Sequence, residues 1–414
     1  MTDDPKSPAG AAPPKPGPGA SPRVRWLNST VLGIGLASLF SDWSHETATT
    51  VMPAFLAAMG AAAAWVGLIE GVSDGLSSLT KLGSGYFTDR LQRRKSIAVA
   101  GYLVSALGTA SFGLATSAWQ VLVGRAASRL GRGVRTPVRK ALLAASVTPE
   151  TYGRAFGFER MMDTAGAIAG PVTAYVLLRV LHDRYPPLFA WTLLPGLLAA
   201  GGMALLVRER SRKKISHLSF REGVRQLPAA YRKFIVAVGL FGAGDFAPTL
   251  LILLAVQKLT PAVGAARAAG IAVALYVLHN VFYASFAVVA GWLADRMSKR
   301  RLLAAGYALA AAMSVLIIFA PLGRWTLGLV FVLGGVHVAI GETLEDSFCA
   351  ELVSPEQHGM AFGVLATVNG AGDFISSIAV GALWSAIGTP AAFGYAAALS
   401  VAGACLVLRL KDAS

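Results

Sequence analysis

Long apolar segments separated by short polar breaks follow one another along most of the chain. They lie at about 27–58, 63–88, 96–116, 118–145, 154–180, 188–207, 232–256, 265–292, 302–321, 325–351, 359–385 and 390–409. A helix needs roughly 20 apolar residues to cross the hydrocarbon core of a bilayer, and each segment is about that long or longer. The pattern therefore predicts an all-α membrane protein with twelve transmembrane helices.

The composition agrees with a membrane protein and excludes soluble classes. Of the 414 residues, 55% are apolar and only 14% are charged, whereas soluble domains have roughly 25% charged residues. The net charge of +15 is carried mainly by the breaks between apolar segments, so no nucleic-acid partner is expected. Cys349 and Cys405 lie inside apolar segments and offer no disulfide framework. The chain lacks a glycine-rich nucleotide loop and a workable nucleophile and base, so neither a cofactor nor an enzymatic activity is predicted.

The ends of the chain and its centre are polar. Residues 1–26 contain seven prolines and no apolar core, which predicts a disordered cytoplasmic tail and not a signal peptide. The segment 208–233 carries nine Lys or Arg residues. We expect an N-terminal six-helix bundle at 27–207, a basic loop at 208–231, a C-terminal six-helix bundle at 232–409 and a tail at 410–414.

Positive charge in the short loops predicts the orientation. The break after the second segment holds Arg90, Arg93, Arg94 and Lys95, and the break after the eighth is similarly basic. Lys and Arg are enriched in cytoplasmic loops. A multi-pass protein of the cell inner (cytoplasmic) membrane with both termini in the cytoplasm is therefore predicted.

An internal repeat divides the chain into two related halves. The sequence at 85–90, GYFTDR, recurs at 291–296 as GWLADR, an offset of 206 residues, and each copy precedes a basic cluster. Residues 148–157 correspond to 354–363 at the same offset. The repeat indicates two pseudo-symmetric six-helix bundles.

The repeated motif resembles that of a transporter of the major facilitator superfamily, and the resemblance covers residues 27–409. In that superfamily the loop between helices 2 and 3 carries Gly-x-x-x-Asp-Arg/Lys-x-Gly-Arg-Arg/Lys; here Gln92 replaces the second glycine. The resemblance implies alternating access between two bundles and a latch that holds the outward-facing state. The latch residues would be Gly85, Asp89, Arg90, Arg93, Gly291, Asp295 and Arg296.

A second motif is similar to one found in helix 5 of proton antiporters of the superfamily. Gly157, Gly166, Gly170 and Pro171 match its spacing, whereas Ala174 and Tyr175 replace its last two glycines. Small residues at these intervals also permit close helix packing whatever the direction of transport. The resemblance implies antiport and therefore export.

Acidic side chains occur inside the first two apolar segments, where an unpaired charge is costly and commonly functional. Asp42 and Glu46 share a helix face near the predicted midplane, as do Glu70 and Asp74 in the second segment. Carboxylates that lie close together repel one another when ionised, which favours uptake of a proton. We expect these four acids to couple transport to protons.

Five arginines form one stripe on the fourth segment. They are Arg125, Arg129, Arg132, Arg135 and Arg139. The first three are expected at membrane depth, and the superfamily resemblance associates Arg125 or Arg129 with proton coupling. The arginines could pair with the four acids, bind an anionic substrate or only mark topology. Internal pairing is favoured, because four acids and three arginines need no external anion.

Other polar residues at membrane depth are expected to line a substrate cavity. They are His45, Arg132, Asp163, Asp245, Asn280 and Asp373. For the three aspartates, a structural acid that is hydrogen-bonded between helices is an equal alternative. No metal site is predicted, since Asp42, His45 and Glu46 on one turn fit an ion-pair cluster better.

These patterns favour a proton-coupled secondary active transporter, acting as a monomer in the lipid bilayer and exporting a small molecule such as a drug or metabolite. Two alternatives remain open: a proton-coupled importer of an anionic solute, and a non-transporting membrane receptor of the same fold. The buried polar clusters disfavour a receptor, because nothing would then offset their cost.

Overall fold

The computed structural model describes residues 25–62, 64–90, 93–209 and 220–410. The predicted tails at 1–26 and 410–414 fall largely outside these residues. Of the predicted basic loop at 208–231, only residues 210–219 fall outside them, and part of the remainder is helical. Over the described residues the protein is all-helical and contains no strand.

Fifteen α-helices and three short 3-10 helices make up the described residues. The 3-10 helices are Ser111–Leu114, Pro149–Thr151 and Pro355–Gln357. The α-helices are α1 Ser29–Ala58, α2 Ala64–Arg90, α3 Arg94–Ala110, α4 Ala118–Ser146, α5 Tyr152–Val180, α6 Tyr185–Trp191, α7 Leu193–Leu206, α8 Phe220–Arg225, α9 Ala229–Gly242, α10 Pro248–Val263, α11 Ala265–Ala294, α12 Lys299–Phe319, α13 Arg324–Leu352, α14 His358–Ala386 and α15 Thr389–Leu408.

Eight helical stretches among the described residues are long and apolar enough to cross a membrane. They contain α3, α5, the α6–α7 pair, α11, α12, α13, α14 and α15. The helices α1, α2 and α4 have 27–30 residues, but they carry the charged side chains described below. By length and composition the multi-pass prediction is thus confirmed, whereas the count of twelve is not.

The predicted continuous segment at 232–256 is wrong, because the helix breaks at 243–247. Pro248 lacks a backbone N–H and its ring would clash with the carbonyl of Gly244 in a continuous helix. The Ser376 hydroxyl donates to the Asp245 carbonyl at 2.7 Å, and the Tyr395 hydroxyl donates to the Ala243 carbonyl at 2.9 Å. Side chains of α14 and α15 therefore stabilise the break, which places Asp245 between two helix ends.

The helix packing follows the sequence repeat. In the first half, α1–α7, the packed pairs include α1 with α5, α2 with α4 and α3 with α7. In the second half, α9–α15, the corresponding pairs are α9 with α14, α11 with α13 and α12 with α15. The two halves meet where α2 packs on α14 and where α5 packs on α11.

Glycines bring the halves together at the end that carries the basic motif loops, here called the basic end. A Cβ atom on Gly291 would lie 2.2 Å from the Gly153 carbonyl oxygen, and one on Gly85 would lie 2.6 Å from the Gly359 carbonyl oxygen. Such distances are far inside van der Waals contact. Only residues without a side chain permit this approach, so the halves are closed at the basic end.

The halves diverge toward the opposite end. Gly67 and Gly71 lie 18 and 14 residues before Gly85, so helical geometry places them on nearly the same face of α2. A Cβ on either would have nothing within 4 Å. The face of α2 that touches α14 at the basic end therefore has no neighbour at the other end, and the space between the halves opens there.

Candidate functional site

A cavity of about 230 Å³ lies between the two halves, above their closed contact at the basic end. Helices α2, α4 and α5 form one wall, and α13 and α14 form the other. Its charged and amide side chains are Lys81, Arg129, Arg132, Arg135, Arg139, Lys140, Arg160, Asp163, Glu342, Asp346, Asn369 and Asp373.

Two further cavities adjoin it and share part of its wall. One, of about 580 Å³, has the charged side chains Asp74, Lys81, Arg129 and Asp373 in its wall, together with serines of α2 and α14 and apolar residues of α14. The other, of about 60 Å³, lies within the second half and is lined by Asp245, Glu345 and Asp373, among others. Asp373 borders all three spaces, so they form one connected polar region.

The arginines of α4 pair with acids of α1 and α2. The pairs and their N–O distances are Arg125 with Glu70 at 2.8 Å, Arg129 with Asp74 at 3.1 Å and Arg132 with Asp42 at 2.7 Å. Because α1 and α2 each contribute acids, α4 is held to both helices by charge. Each pair joins an arginine and an acid that the sequence pattern predicts at membrane depth.

Asp42 is the most enclosed acid of these pairs, with a side chain only 8% exposed. Besides Arg132, it has Arg135 at 4.0 Å. His45 is also buried, and its Nε2 atom lies 3.5 Å from the Arg125 guanidinium. Glu46, one turn from Asp42, lies where α1 crosses Gly170 of α5. The face of α1 with these side chains is thus directed at α4 and α5.

A second set of ion pairs forms the floor of the cavity nearer the basic end. Arg139 lies 2.7 Å from Glu159, which also accepts a hydrogen bond from Ser38. Arg160 lies 2.7 Å from Glu342 of the other half and 3.5 Å from Asp163. Asp163 and Glu342, which lie on opposite halves, therefore share Arg160 as a partner.

Lys140 and Asp346 form an ion pair across the halves, with an N–O distance of 2.6 Å. Their numbers differ by 206, the offset of the internal repeat, so each is the symmetry equivalent of the other. Two equivalent positions can touch only near the pseudo-two-fold axis. The cavity floor therefore lies on this axis, where midplane sites of transporters with repeats are found.

Glu342 and Asp346 of the second half form ion pairs with Arg160 and Lys140, but the other three acids of this region have neutral partners or none among the described residues. Glu345 accepts hydrogen bonds from Tyr307 and Asn369, each at 2.7 Å, and Tyr283 donates to Glu342. For Asp245 and Asp373 the described residues show no ion pair. Asn280 donates to the Tyr276 carbonyl of its own helix and lines none of the three cavities.

The region is electrostatically polarised between the halves. The first half contributes eight cationic and six acidic side chains, namely Lys81, Arg125, Arg129, Arg132, Arg135, Arg139, Lys140 and Arg160 with Asp42, Glu46, Glu70, Asp74, Glu159 and Asp163. The second half contributes five acids and no Lys or Arg among the described residues, namely Asp245, Glu342, Glu345, Asp346 and Asp373. In total, the region contains eleven acids and eight cations, and the surplus of acids lies in the second half.

The two motif aspartates bind helix N-termini of the opposite half. Asp89 accepts hydrogen bonds from the backbone N–H groups of Gly359 and Met360, at 2.9 and 2.6 Å. Asp295 accepts the equivalent bonds from Gly153 and Arg154, at 2.8 and 3.2 Å. An acid at a helix N-terminus is favoured by the unpaired N–H groups and the helix dipole, so both contacts favour closure of the basic end.

Only part of the predicted latch set takes part in these contacts. Arg94 donates to Asp89 at 2.8 Å, and the Arg154 side chain donates to Asp295 at 2.6 Å. By contrast, Arg90 stacks on Tyr86 and Arg296 stacks on Trp292, each on its own helix. Arg93 precedes α3 as its N-terminal flanking residue and makes no side-chain capping bond.

The glycines of the helix-5 motif pack α5 against two different helices. A Cβ on Gly166 would lie 2.2 Å from the Leu39 carbonyl oxygen of α1, and Gly170 also faces α1. A Cβ on Gly157 would lie 2.3 Å from the Ala287 carbonyl oxygen of α11. Pro171 lies inside α5, directly after this contact with α1. The motif thus holds the acid-bearing helix α1 close to α5.

Several residues of the site were not singled out from the sequence. Lys81, Glu159, Arg160 and Asn369 line or support the cavity. Lys81 lies seven residues after Asp74, and Arg160 lies three residues before Asp163, so helical spacing from the named acids indicates both. Arg139 and the neighbouring Lys140 are buried in ion pairs.

No group of three or more His, Cys, Asp or Glu side chains suited to a metal ion occurs in the part of the chain that the structure describes. The acids of the site are instead spaced between arginines and lysines. The arrangement can hold charged groups and exchange protons, but it presents no clustered set of metal ligands.

We expect Asp89→Asn to open the basic end. The amide retains a hydrogen-bond acceptor but loses the charge, and bonds to a charged group contribute about 1.5–3 kcal/mol. The ratio of closed to open molecules should fall about tenfold. Ser78 lines the cavity of about 580 Å³. Labelling of Ser78→Cys by a thiol reagent that enters from the opposite end, in a Cys405→Ser background, should therefore slow.

Asp183→Asn in an exposed turn is the matched control and should label like the parent. Asp295→Asn should act like Asp89→Asn, because its contacts are equivalent. Unchanged labelling in both Asp89→Asn and Asp295→Asn would show that these aspartates do not hold the basic end closed.

Comparisons with known proteins agree on the family. The sequence profile of the Major Facilitator Superfamily matches residues 34–260 and 234–414. The chain is 28% identical to an uncharacterised MFS-type transporter of Methanocaldococcus jannaschii, over 93% of this chain and 95% of the relative. A shorter region, 28% of this chain and 29% of the relative, is 35% identical to the multidrug resistance protein MdtH of Cronobacter sakazakii.

The fold also matches a solved structure. The crystal structure of the transporter FucP in the outward conformation covers 93% of this chain and 99% of its own, with a TM-score of 0.74 and 16% identity. At this identity the likeness concerns the fold alone. Together with the profile match, the paired halves and the repeated motif, it leads to one conclusion: the chain is a membrane transporter that belongs to the Major Facilitator Superfamily.

Proposed function

We propose that this protein is a proton-coupled secondary active transporter that exports a small molecule, a drug or metabolite, by alternating access. The first and second halves would rock about the central cavity, which is reached from one side of the membrane at a time. In the structure the basic end is closed and the opposite end is open, as expected for one end state of this cycle.

The proposed topology has twelve membrane helices, with the basic end and both termini in the cytoplasm. The protein would act as a monomer in the inner (cytoplasmic) membrane of the cell. Eight apolar helical stretches and the charged helices α1, α2 and α4 supply eleven of these spans. The broken pair α9 and α10 supplies the twelfth. The Lys and Arg residues at 90–95 and 296–301 support the cytoplasmic assignment.

The pair of Asp42 and Arg132 is the observation that carries the proton-coupling proposal. The carboxylate is buried and lies 2.7 Å from a guanidinium that lines the central cavity. Protonation of Asp42 would leave the Arg132 charge without its partner, and breaking such a buried pair costs about 3–5 kcal/mol. A proton at this position therefore supplies enough free energy to change how α1 and α4 pack.

The balance of charge in the site also supports coupling to protons and gives less support to an anionic substrate. The acids of this region exceed its cations by three. Among the described residues, its acids without an ion pair are Glu46 of α1 and, in the second half, Asp245, Glu345 and Asp373. A site with surplus acids is stabilised by bound protons or cationic groups. A substrate that carries only negative charge, as in the importer alternative, receives less support from this balance.

Export is proposed from the helix-5 motif and from one relative. Gly166 and Gly170 pack α5 against α1, as the small residues of the antiporter motif are expected to do. The Cronobacter relative, which matches part of this chain, is named a multidrug resistance protein. Both support movement of substrate out of the cytoplasm in exchange for protons.

Transport assays in proteoliposomes test the proposal. The purified protein is reconstituted with an imposed pH gradient, and a panel of drugs and metabolites is profiled for uptake or loss by mass spectrometry. We expect at least one compound to move against its gradient in the direction opposite to the proton. Movement of compounds in the same direction as the proton would contradict export, and transport indifferent to the gradient would contradict coupling.

A further inference from the structure

We propose that the central cavity selects zwitterionic small molecules, with the substrate's acid group bound by the first half and its amine by the second. The inference rests on the proposed transport function, because it names the substrate class for the same site. It is based on two observations: arginine N–H donors of the first half lack hydrogen-bond partners, and acids of the second half lack ion pairs among the described residues.

The anion pole is centred on Arg135, which is 2% exposed and lines the cavity. Its Nε and Nη1 atoms make no hydrogen bond. The groups that face Arg135 are the Tyr102 ring, 4.1 Å from the guanidinium carbon, and Asp42 at 4.0 Å. Asp42 is itself engaged by Arg132. Arg135 therefore has donors left over for a ligand.

Two neighbours extend this pole. Arg132 also has a buried nitrogen, Nη1, without a hydrogen-bond partner. Lys81 lies on the wall of both larger cavities, and the described residues show no ion pair for it. A carboxylate is planar and can accept two parallel N–H bonds from a guanidinium. An acid group bound here would satisfy donors that the protein leaves unpaired.

The cation pole is formed by Asp245 and Asp373 of the second half. Both line the small cavity of about 60 Å³, whose wall also has Glu342 and Glu345 but no Lys or Arg. His337 is 4% exposed, borders the same space and has no hydrogen-bond partner among the described residues. Asp245 lies at the break between α9 and α10, a position typical of transporter binding sites. An ammonium group would be attracted to these carboxylates.

The two poles face each other across the space that closes during transport. Lys81 and Asp373 border the same cavities but lie on opposite halves. A ligand with one charge would pair with the charged groups of one wall and leave those of the other wall unpaired. A zwitterion would compensate both walls, and because it bridges the halves it would bind the closed arrangement better than the open one, as a transported substrate must.

A matched ligand series tests the charge requirement without a pH gradient. The probes are 4-aminobutanoate, 5-aminopentanoate and 6-aminohexanoate, with the carboxylates and the alkylamines of the same chain lengths. Calorimetric binding to the full-length protein in lipid nanodiscs should show at least one amino acid bound about tenfold more tightly than both of its matched single-charge analogues. Equal affinity for a carboxylate or an amine overturns the proposal, as does binding of none of the nine compounds up to about 10 mM.

Substitutions separate the two poles. Arg135→Gln should weaken binding of the amino acid about tenfold and leave the alkylamine unchanged, whereas Asp373→Asn should weaken the amino acid and leave the carboxylate unchanged. Arg267→Gln, on an exposed part of α11, is the control and should alter neither. Lys81→Gln replaces Arg135→Gln if that variant does not fold. If both variants weaken binding of the amino acid, the alkylamine and the carboxylate to the same extent, the assignment of the two poles is overturned.

The binding assay tests the zwitterion proposal and the transport assay tests the proposed function, so either proposal can be contradicted without the other. Zwitterion binding with the expected variant effects, but no proton-coupled movement, would contradict the transport proposal and leave the binding site in place. Proton-coupled export of a substrate that lacks one of the two charges would support transport and overturn the zwitterion proposal.

Discussion

Replacing Asp42 with Asn will abolish accumulation of substrate driven by a pH gradient. Asn cannot exchange a proton, and it leaves Arg132 opposite a neutral partner of nearly the same shape. Coupling requires that the proton and the substrate bias the same structural change. Internal substrate in proteoliposomes should therefore stop at the concentration of the bath, while exchange of substrate down its own gradient continues.

Two controls make this result specific. Asp183→Asn removes an acid from an exposed turn and should leave accumulation intact. Asp42→Glu keeps a titratable group beside Arg132 and should restore part of the coupling. Continued accumulation against a gradient by Asp42→Asn would show that another acid carries the proton.

Replacing Gly291 with Val will keep the basic end open. The Cβ atom would lie 2.2 Å from the Gly153 carbonyl oxygen, which belongs to backbone and cannot rotate away. Overpacking of this kind costs roughly 1–3 kcal/mol, so the open population should rise about ten- to a hundredfold. Distance measurements between spin labels at Arg93→Cys and Met297→Cys, in a Cys405→Ser background, should show a longer distance at the basic end.

Gly270→Val on the same helix is the matched control for Gly291→Val. Nothing lies within 4 Å of a Cβ at Gly270, so this variant should keep the parent distance distribution. A short distance retained by Gly291→Val would mean that the halves do not need the glycine contact to close.

Local periodicity was sufficient to predict the polar faces of individual helices. Asp42 and Glu46 share a face, as do the arginines of α4, because the spacing of 3.6 residues per turn fixes relative direction. The pairing of Arg125 with Glu70 was one of several open combinations. Which acid meets which arginine depends on the rotation and height of neighbouring helices, and a single sequence does not give either.

The internal repeat predicted where the two motif aspartates lie but not all of their contacts. The motif placed Asp89 and Asp295 at helix ends, whereas their partners, the backbone N–H groups of Gly359 and Gly153, have no side-chain signal. The pair of Lys140 and Asp346 could have been derived from the offset of 206, since opposite charges at equivalent positions can meet on the axis. Their burial required the fold.

The break at 243–247 and the role of Lys81 were missed for different reasons. Hydropathy averages over a window and does not register a short break inside an apolar stretch, although Pro248 indicates it. Lys81 lies near the end of a predicted span, where a lysine is ordinarily a topology signal. Only the approach of α14 to α2 places it inside a cavity.

Spin-label distances measured against pH test most directly the claim that protonation near Asp42 drives alternation between the two end states. The labelled pairs are Arg93→Cys with Met297→Cys at the basic end, and Leu114→Cys with Trp325→Cys at the opposite end, all at exposed positions. In the parent protein we predict that the two distances change in opposite directions between about pH 5 and pH 8, and that Asp42→Asn removes this dependence. Distances that do not respond to pH in the parent protein, or that respond equally in Asp42→Asn, would contradict the account.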